Sequence, residues 1–294
     1  MKILISTDTS SILNYGILEK NNISIYPLNV IIDGEEFLDG LTIKQDKLNE
    51  EMRANKVIKT STPPLGEVIE YFQNKLGEGY DHVIHFTISS KLSSMYNLFS
   101  NVAQNEFPGK VTIIDSLAIS SIMLSHILYA KEEVEKGTKI SDICIEIENR
   151  KKNSYICFIP ENLNALKNGG RISPAAAAIG NTIGLKPIIL LQNGELVKDS
   201  VTRSPKKKFK EHLDKCIETF PIEHYDYSIC DFYADEITVG VAKEYLENLI
   251  GKENVIRGIL PINVCAHCGP GTYGVVISPK INGKSIKVIM DSLK

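Results

Sequence analysis

Along this chain, short runs of continuous or alternating apolar residues give way repeatedly to stretches with apolar residues three and four apart. The first pattern predicts strand and the second amphipathic helix. Ile3–Ser6 reads as a strand that runs into the polar turn Thr7–Ser11. Ser24–Ile32 reads as one long strand, and Asp33-Gly34 supplies hairpin chemistry before a partner at Glu35–Leu38. Helices are predicted over Thr42–Asn55 and Leu65–Leu76. They are followed by strand His82–Ile88, helix Ser93–Gln104, strand Lys110–Ile114, and helices over Ile119–Glu135 and Ile140–Lys151.

The alternation then restarts. Strand Tyr155–Ile159 precedes helices Glu161–Lys167 and Pro174–Thr182, then a hairpin of Pro187–Leu191 and Glu195–Ser200 around Asn193-Gly194. Helix Pro205–Thr219, strand Tyr227–Tyr233, helix Glu236–Leu249 and strand Val255–Leu260 follow. The chain ends on a predicted strand pair, Gly274–Ser278 and Ser285–Met290, around Asn282-Gly283. Strands alternating with helices imply an α/β fold with a largely parallel sheet. Two such series predict two domains, 1–160 and 161–294, divided near Pro160 with a ligand crevice between them.

Composition narrows the function classes. The chain has 294 residues, of which 43% are hydrophobic and 23% charged, an ordinary globular balance. A formal net charge of −3 argues against nucleic-acid binding through bulk electrostatics. The one basic cluster, Lys206–Lys208 with Lys210 beside Arg203, reads as a solvated helix face. No apolar run approaches the ~20 residues needed to span a bilayer, and the opening residues do not resemble a secretion signal. Six cysteines in such a chain read as reduced thiols, and the expected location is the cytoplasm.

Candidate chemistry concentrates in a few polar loops. Leu166-Lys-Asn-Gly-Gly-Arg-Ile-Ser173 joins a Gly169-Gly170 turn and a fixed cation, Arg171, to a helix start at Ser173-Pro174. A guanidinium beside a helix start suits an anionic head group. The small residues Ala175–Ala178, with Ile179, Ile183 and Leu185, leave room for an apolar tail or simply pack a helix. Lys59-Thr-Ser-Thr-Pro-Pro64 is a hydroxyl-rich loop containing Thr62. Thr87-Ile-Ser-Ser-Lys-Leu-Ser93 lies at the carboxyl end of a predicted strand, where α/β sheets bind ligands. Either could instead supply helix caps. Ala266-His-Cys-Gly-Pro-Gly-Thr-Tyr-Gly274 reads as a loop between strands, headed by His267. Cys265 and Cys268 have C-x-x-C spacing, but no second close pair of Cys or His completes a zinc site. No Walker motif, dinucleotide fingerprint or clustered carboxylates for Mg²⁺ occur, so no ATP site, cofactor or metal is expected.

Taken in order, Ser6-Thr-Asp-Thr-Ser-Ser11, Lys59-Thr-Ser-Thr-Pro63, Ile88-Ser-Ser-Lys-Leu-Ser93, Leu166–Ser173 and His267-Cys-Gly-Pro-Gly271 resemble the motifs of the DegV family. The resemblance implies a two-domain α/β fold, with a largely parallel sheet in the N-terminal domain and a mixed sheet in the second. It further implies a bacterial lipid-binding protein of phospholipid metabolism that holds one long-chain fatty acid between domains. Such a protein presents the carboxylate to a separate ATP-binding fatty acid kinase subunit and has no catalytic residue of its own. By this resemblance Thr62 and Ser93 bind the carboxylate. Arg171, His267, Gly169 and Gly170 lie near the head group, and Arg203 engages the kinase and the transferred phosphate. Transient membrane contact is compatible with that role. Ser94-Met95, Pro64 and Cys268 depart from the family's usual residues, as does the Ser-Pro after Arg203. A chain of some sixteen carbons, buried at ~0.8 kcal/mol per CH₂, offers roughly 12 kcal/mol of gross transfer energy. The alternative reading is a small-metabolite acyl- or phosphoryl-transfer enzyme using Ser93, His267 and Arg171. A third is metal or thiol chemistry at Cys265 and Cys268.

Overall fold

The computed structural model describes residues 1–11, 15–173, 184–258 and 260–294. Its strands in chain order are β1 (Ile3–Asp8), β2 (Ile23–Tyr26), β3 (Asn29–Ile32), β4 (Glu35–Leu38), β5 (Ile58–Ser61), β6 (His82–Thr87) and β7 (Val111–Asp115). They continue with β8 (Tyr155–Ile159), β9 (Lys186–Gln192), β10 (Glu195–Thr202), β11 (Tyr225–Phe232), β12 (Val255–Arg257) and β13 (Thr272–Pro279).

Three sheets form. The first is fully parallel in the order β2-β1-β6-β7. Its central strand β6 is buried at every position, as expected of a parallel strand covered on both faces. The second sheet is mixed, in the order β10-β9-β8-β13-β11-β12, with only β11 and β12 parallel. Strand β8, just before Pro160, therefore belongs to this sheet. The third sheet, β4-β3-β5, is a small antiparallel ribbon.

Side-chain alternation gives the mixed sheet two different faces. Cys157, Ile159, Tyr227, Ile229, Tyr273, Val275 and Ile277 join a core with Phe209, Leu213, Val239 and Leu246 from the helices Pro205–Thr219 and Glu236–Ile250. Their neighbours Ile156, Phe158, Cys230, Phe232 and Val276 belong to the larger core that includes the parallel sheet. The helix Ser120–Glu135 links the two, packing on both β1 and β13. It is buried nearly all round, including Ile122 to Leu128, as a helix with so little polar face must be.

All three predicted two-residue turns form with both central residues at positive φ: Asp33-Gly34, Asn193-Gly194 and Asn282-Gly283. The turn at Gly194 also makes a contact between sheets, because its carbonyl accepts the Ser89 hydroxyl at 2.6 Å.

Five sequence expectations change. Ser24–Ile32 is two strands in different sheets, divided at Pro27, which has no N–H for a ladder. The loop Lys59–Pro64 begins as strand: Lys59, Thr60 and Ser61 pair with β3, and only Thr62 onward is loop. Ser285–Met290 is not a strand but belongs to the helix Ile286–Ser292. Ser285 caps it from outside, and Ile286 and Ile289 bury one face at helical spacing. His267 lies not in a loop but in the last turn of a short helix, Ile262–Cys268, which ends where Gly269 turns at φ 78°. The helix before Arg171 is shorter than expected, Glu161–Lys167 becoming Asn164–Asn168, and the expected Pro174–Thr182 helix, with Ala175–Ala178 and Ile179, lies outside the described residues, as does Ile183.

Candidate functional site

A cavity of about 360 Å³ lies between the carboxyl end of the parallel sheet and the inner face of the mixed one. Three of its walls leave parallel strands: Leu28 follows β2, the segment Ile88 to Met95 follows β6, and Ile119-Ser120 follows β7. Parallel sheets place ligands at this edge because the connections there diverge. The mixed sheet contributes Ile156, Phe158, Leu196, Cys230, Gly274 and Val276, and the Ile262 helix contributes Asn263, Val264, His267 and Cys268. Most of the lining is apolar. The size falls within the ~300–1,000 Å³ of small-molecule sites.

Four of the predicted site residues, Thr62, Ser93, Arg171 and His267, line this one cavity, although up to 205 positions separate Thr62 from His267 in the chain. The hydroxyls of the first two are not spent on helix capping. The helix Leu65–Gly77 starts after Pro64, and the helix Met95–Glu106 starts after Ser94. Neither has a side-chain cap. Ser93 Oγ accepts only a long bond from the Met95 N–H, at 3.4 Å, and Thr62 makes no side-chain hydrogen bond among the described residues. Both can therefore donate to a ligand.

Arg171 is fixed by backbone. Its Nε donates to the Leu92 carbonyl at 3.1 Å and its Nη1 to the Gly169 carbonyl. No carboxylate among the described residues pairs with it. Burial draws its pKa downward, the cost of holding a half-buried cation without a counter-ion. His267 Nε2 lies 2.8 Å from Thr60 Oγ1. Burial, and secondarily the Arg171 charge, pull its pKa down to about 4, so the ring is neutral near pH 7. It can donate or accept a hydrogen bond but carries no charge.

Gly169 and Gly170 do not line the cavity. Gly169 supports the histidine from behind: a Cβ there would lie 2.3 Å from His267 Nδ1. Gly170, at φ 69°, turns the chain so that Arg171 N–H reaches the Leu166 carbonyl. Arg203 is outside the cavity, exposed between β10 and the Pro205 helix. Leu185 is half-buried and does not line the cavity.

Ser93 and His267 share the cavity but not a hydrogen bond, since the ring is engaged by Thr60. The nucleophile–base contact that an acyl-transfer reading calls for is not formed. Cys265 and Cys268 are buried free thiols, and burial raises Cys265 well above the usual range. Among the described residues, no group of three His, Cys, Asp or Glu side chains is placed to hold a metal, and no helix is long and apolar enough to cross a membrane.

Sequence reasoning passed over the buried polar layer behind the site. Asp39 Oδ2 accepts the Asn263 N–H and the Thr9 hydroxyl, each at 3.0 Å, and Asn263 Nδ2 donates to Ser10 Oγ at 2.6 Å. Asp8 accepts the Ile88 N–H at 2.6 Å and the Ser10 N–H at 2.8 Å. Desolvation outweighs these bonds, pushing Asp8 up to about 6 and Asp39 up to about 7. The layer ties the helix carrying Asn263 and His267 to the end of β1. Asp8 sat within a noted motif, whereas Asp39 had no local signal: it follows a hairpin strand and meets a residue 224 positions away.

Comparison with known proteins agrees with this geometry. The family model described as uncharacterised protein, DegV family, matches residues 2–280. A DegV domain-containing protein of Staphylococcus aureus strain N315 is 31% identical over 282 residues, covering 95% of this chain and 99% of its own. A DegV family protein from Thermus thermophilus, described for its fatty acid binding, superimposes with a TM-score of 0.83 at 28% identity, over 95% of this chain and 100% of that one. A protein from Thermotoga maritima whose structure reveals fatty acid binding function gives a TM-score of 0.77 at 26% identity, over 95% and 99%. With the motifs in order, the cavity at the sheet edge and a match spanning nearly the whole chain, this protein belongs to the DegV family.

Proposed function

We propose that this chain binds one long-chain fatty acid in the cavity and presents its carboxylate to a separate ATP-dependent kinase subunit, which converts it to an acyl phosphate. The observation that carries the reading is a largely apolar cavity to whose polar lining Thr62, Ser93, Arg171 and His267 contribute from four separated segments. The fatty acid binding of the Thermus and Thermotoga relatives supports it.

In this reading the acyl tail supplies the affinity, and Thr62 and Ser93 donate to the carboxylate, offsetting its desolvation. Arg171 adds a positive charge nearby, and neutral His267, backed by Gly169, contributes a hydrogen bond. The Gly169-Gly170 turn sets both in place. The carboxylate oxygen attacks the γ-phosphorus of ATP held by the partner, and the bond to the β–γ bridging oxygen breaks to release ADP. The chain supplies no nucleophile; its part is positioning and electrostatics. Arg203, exposed outside the cavity, would meet the kinase subunit and the transferred phosphate. The ligand would lie between two domains divided near Pro160, in a cytoplasmic bacterial protein that touches membranes only transiently.

The test combines lipid-loaded protein, ATP and the kinase subunit of the same organism. Acyl phosphate, trapped as the hydroxamate, should require all three. Formation without the kinase subunit, or none with it, would overturn the presenting role.

A further inference from the structure

We propose that Ser94 is a phosphoryl-positioning residue which, with Arg171, holds the phosphate of the acyl phosphate formed at the head-group site. The proposal rests on the fatty-acid reading above and adds to it a second set of contacts, made once the carboxylate has reacted.

Thr62, Ser93 and Ser94 bring three hydroxyls to the cavity that Arg171 also lines. Thr62 and Ser93 serve the carboxylate, which leaves Ser94 over. Its side chain caps no helix and makes no hydrogen bond among the described residues. Arg171 spends two N–H groups on the Leu92 and Gly169 carbonyls, so three of the five on a guanidinium remain. Together these donors exceed the roughly four acceptor positions of a carboxylate. A phosphoryl group brings three strong acceptor oxygens and up to two negative charges. Among the described residues no acidic side chain lines the cavity to oppose it.

Exposure sets the order of the contacts. Thr62, Ser93 and Arg171 are half-buried, whereas Ser94 is exposed. ATP held by a separate subunit must approach from that open side. In the transfer a carboxylate oxygen bonds to the γ-phosphorus as the bond from phosphorus to the bridging oxygen breaks, and that electron pair leaves with ADP. The phosphoryl group thus ends outward of the carboxyl carbon, toward Ser94.

Both residues are held in place for this. The Leu92 carbonyl, two positions before Ser94, accepts Arg171 Nε at 3.1 Å. The Ser94 carbonyl accepts the Leu98 N–H at 3.0 Å, which fixes it at the start of the helix Met95–Glu106. A hydroxyl held on a rigid element meets developing charge with little reorganisation. Ser94-Met95 departs from the family's usual residues, so this contact is a feature of this chain.

The experiment is a competition between palmitic acid and a stable analogue of palmitoyl phosphate, with CH₂ in place of the bridging oxygen, in the wild type, Ser94→Ala and Ser94→Thr. Ser94→Ala should weaken binding of the analogue about tenfold, the effect of one hydrogen bond to a charged oxygen, with the Kd for palmitic acid unchanged. Ser94→Thr keeps the hydroxyl and should restore binding of the analogue. Equal losses for both ligands, or a loss for neither, would overturn the assignment while leaving fatty-acid binding intact. If neither ligand binds the wild type, the fatty-acid reading falls and the proposal with it. Acyl-phosphate formation with the kinase subunit is a second check: Ser94→Ala should lower kcat and leave KM for the lipid-loaded protein unchanged. A raised KM at unchanged kcat would assign Ser94 to docking of the partner and count against the proposal.

Discussion

Replacing Gly169 with alanine tests how the head-group histidine is held. Gly169 caps the helix Asn164–Asn168 at φ −75°, a conformation alanine adopts freely, so the substitution carries no backbone cost. The cost is steric. The new Cβ would sit 2.3 Å from His267 Nδ1, 3.0 Å from its Cε1 and 3.1 Å from the Ala165 carbonyl. The ring must move by roughly 1 Å to reach ordinary contact, and its 2.8 Å bond to Thr60 lies on the other side. Overpacking of about 1–3 kcal/mol together with the lost bond should lower Tm by a few degrees. If His267 touches the ligand, Kd for the fatty acid should rise roughly threefold to tenfold.

Thermal melts and fatty-acid titrations of Gly169→Ala, His267→Ala and the double variant separate the causes. Once the imidazole is gone, the alanine should be nearly free, a coupling of about 1–2 kcal/mol. Gly170→Ala is the control, since it has open space and pays only for its positive φ. Equal penalties for Gly169→Ala with and without the imidazole would refute the reasoning.

The remaining expectations are independent of this one. Thr62→Ala combined with Ser93→Ala should reduce lipid retention, because a buried carboxylate loses two donors worth roughly 1.5–3 kcal/mol each; unchanged occupancy on extraction would remove the assigned head-group site. Arg203→Ala should leave lipid binding intact and slow acyl-phosphate formation in the coupled kinase assay, whereas lost binding would mean a different role. Asp8 and Asp39 titrate higher folded, at about 6 and about 7, than their ordinary 3.8. The folded state therefore holds their protons more tightly. That stability is complete below the unfolded value and is lost as pH rises through the folded ones. Asp39→Asn should flatten the decline, removing on the order of 2–4 kcal/mol of pH dependence. Melts across that range would contradict this if wild type and variant fall in parallel.

How much of this was legible in the sequence follows from how local each signal was. The three two-residue turns were readable because the chemistry of Asp-Gly and Asn-Gly is contained in the dipeptide. The helix Pro205–Thr219 matched at both ends, with Pro205 at its first position and an apolar face spaced at Phe209, Leu213 and Cys216. Thr62, Ser93, Arg171 and His267 were found as motifs, and the fold supplied the fact that they share one cavity.

The misses came from tertiary decisions. Ser285–Met290 contains Ile-Lys-Val-Ile, which alternates like a strand, yet Asp226 accepts the Ile286 N–H at 2.8 Å and Ser285 caps the turn, so a helix starts there. Pro27 broke a run of strand-forming residues whose halves suit two different sheets. Asp39 gave no signal because its chemistry depends on burial: its carboxyl is enclosed with Thr9, Asn263 and the nearby Asp8, which the fold alone brings to it.

Native mass spectrometry of the purified protein, followed by solvent extraction and identification of what is released, tests the central claim most directly. One fatty acid per chain is expected, released on denaturation and replaceable by added fatty acid. A protein that emerges empty and takes up no added fatty acid would contradict it.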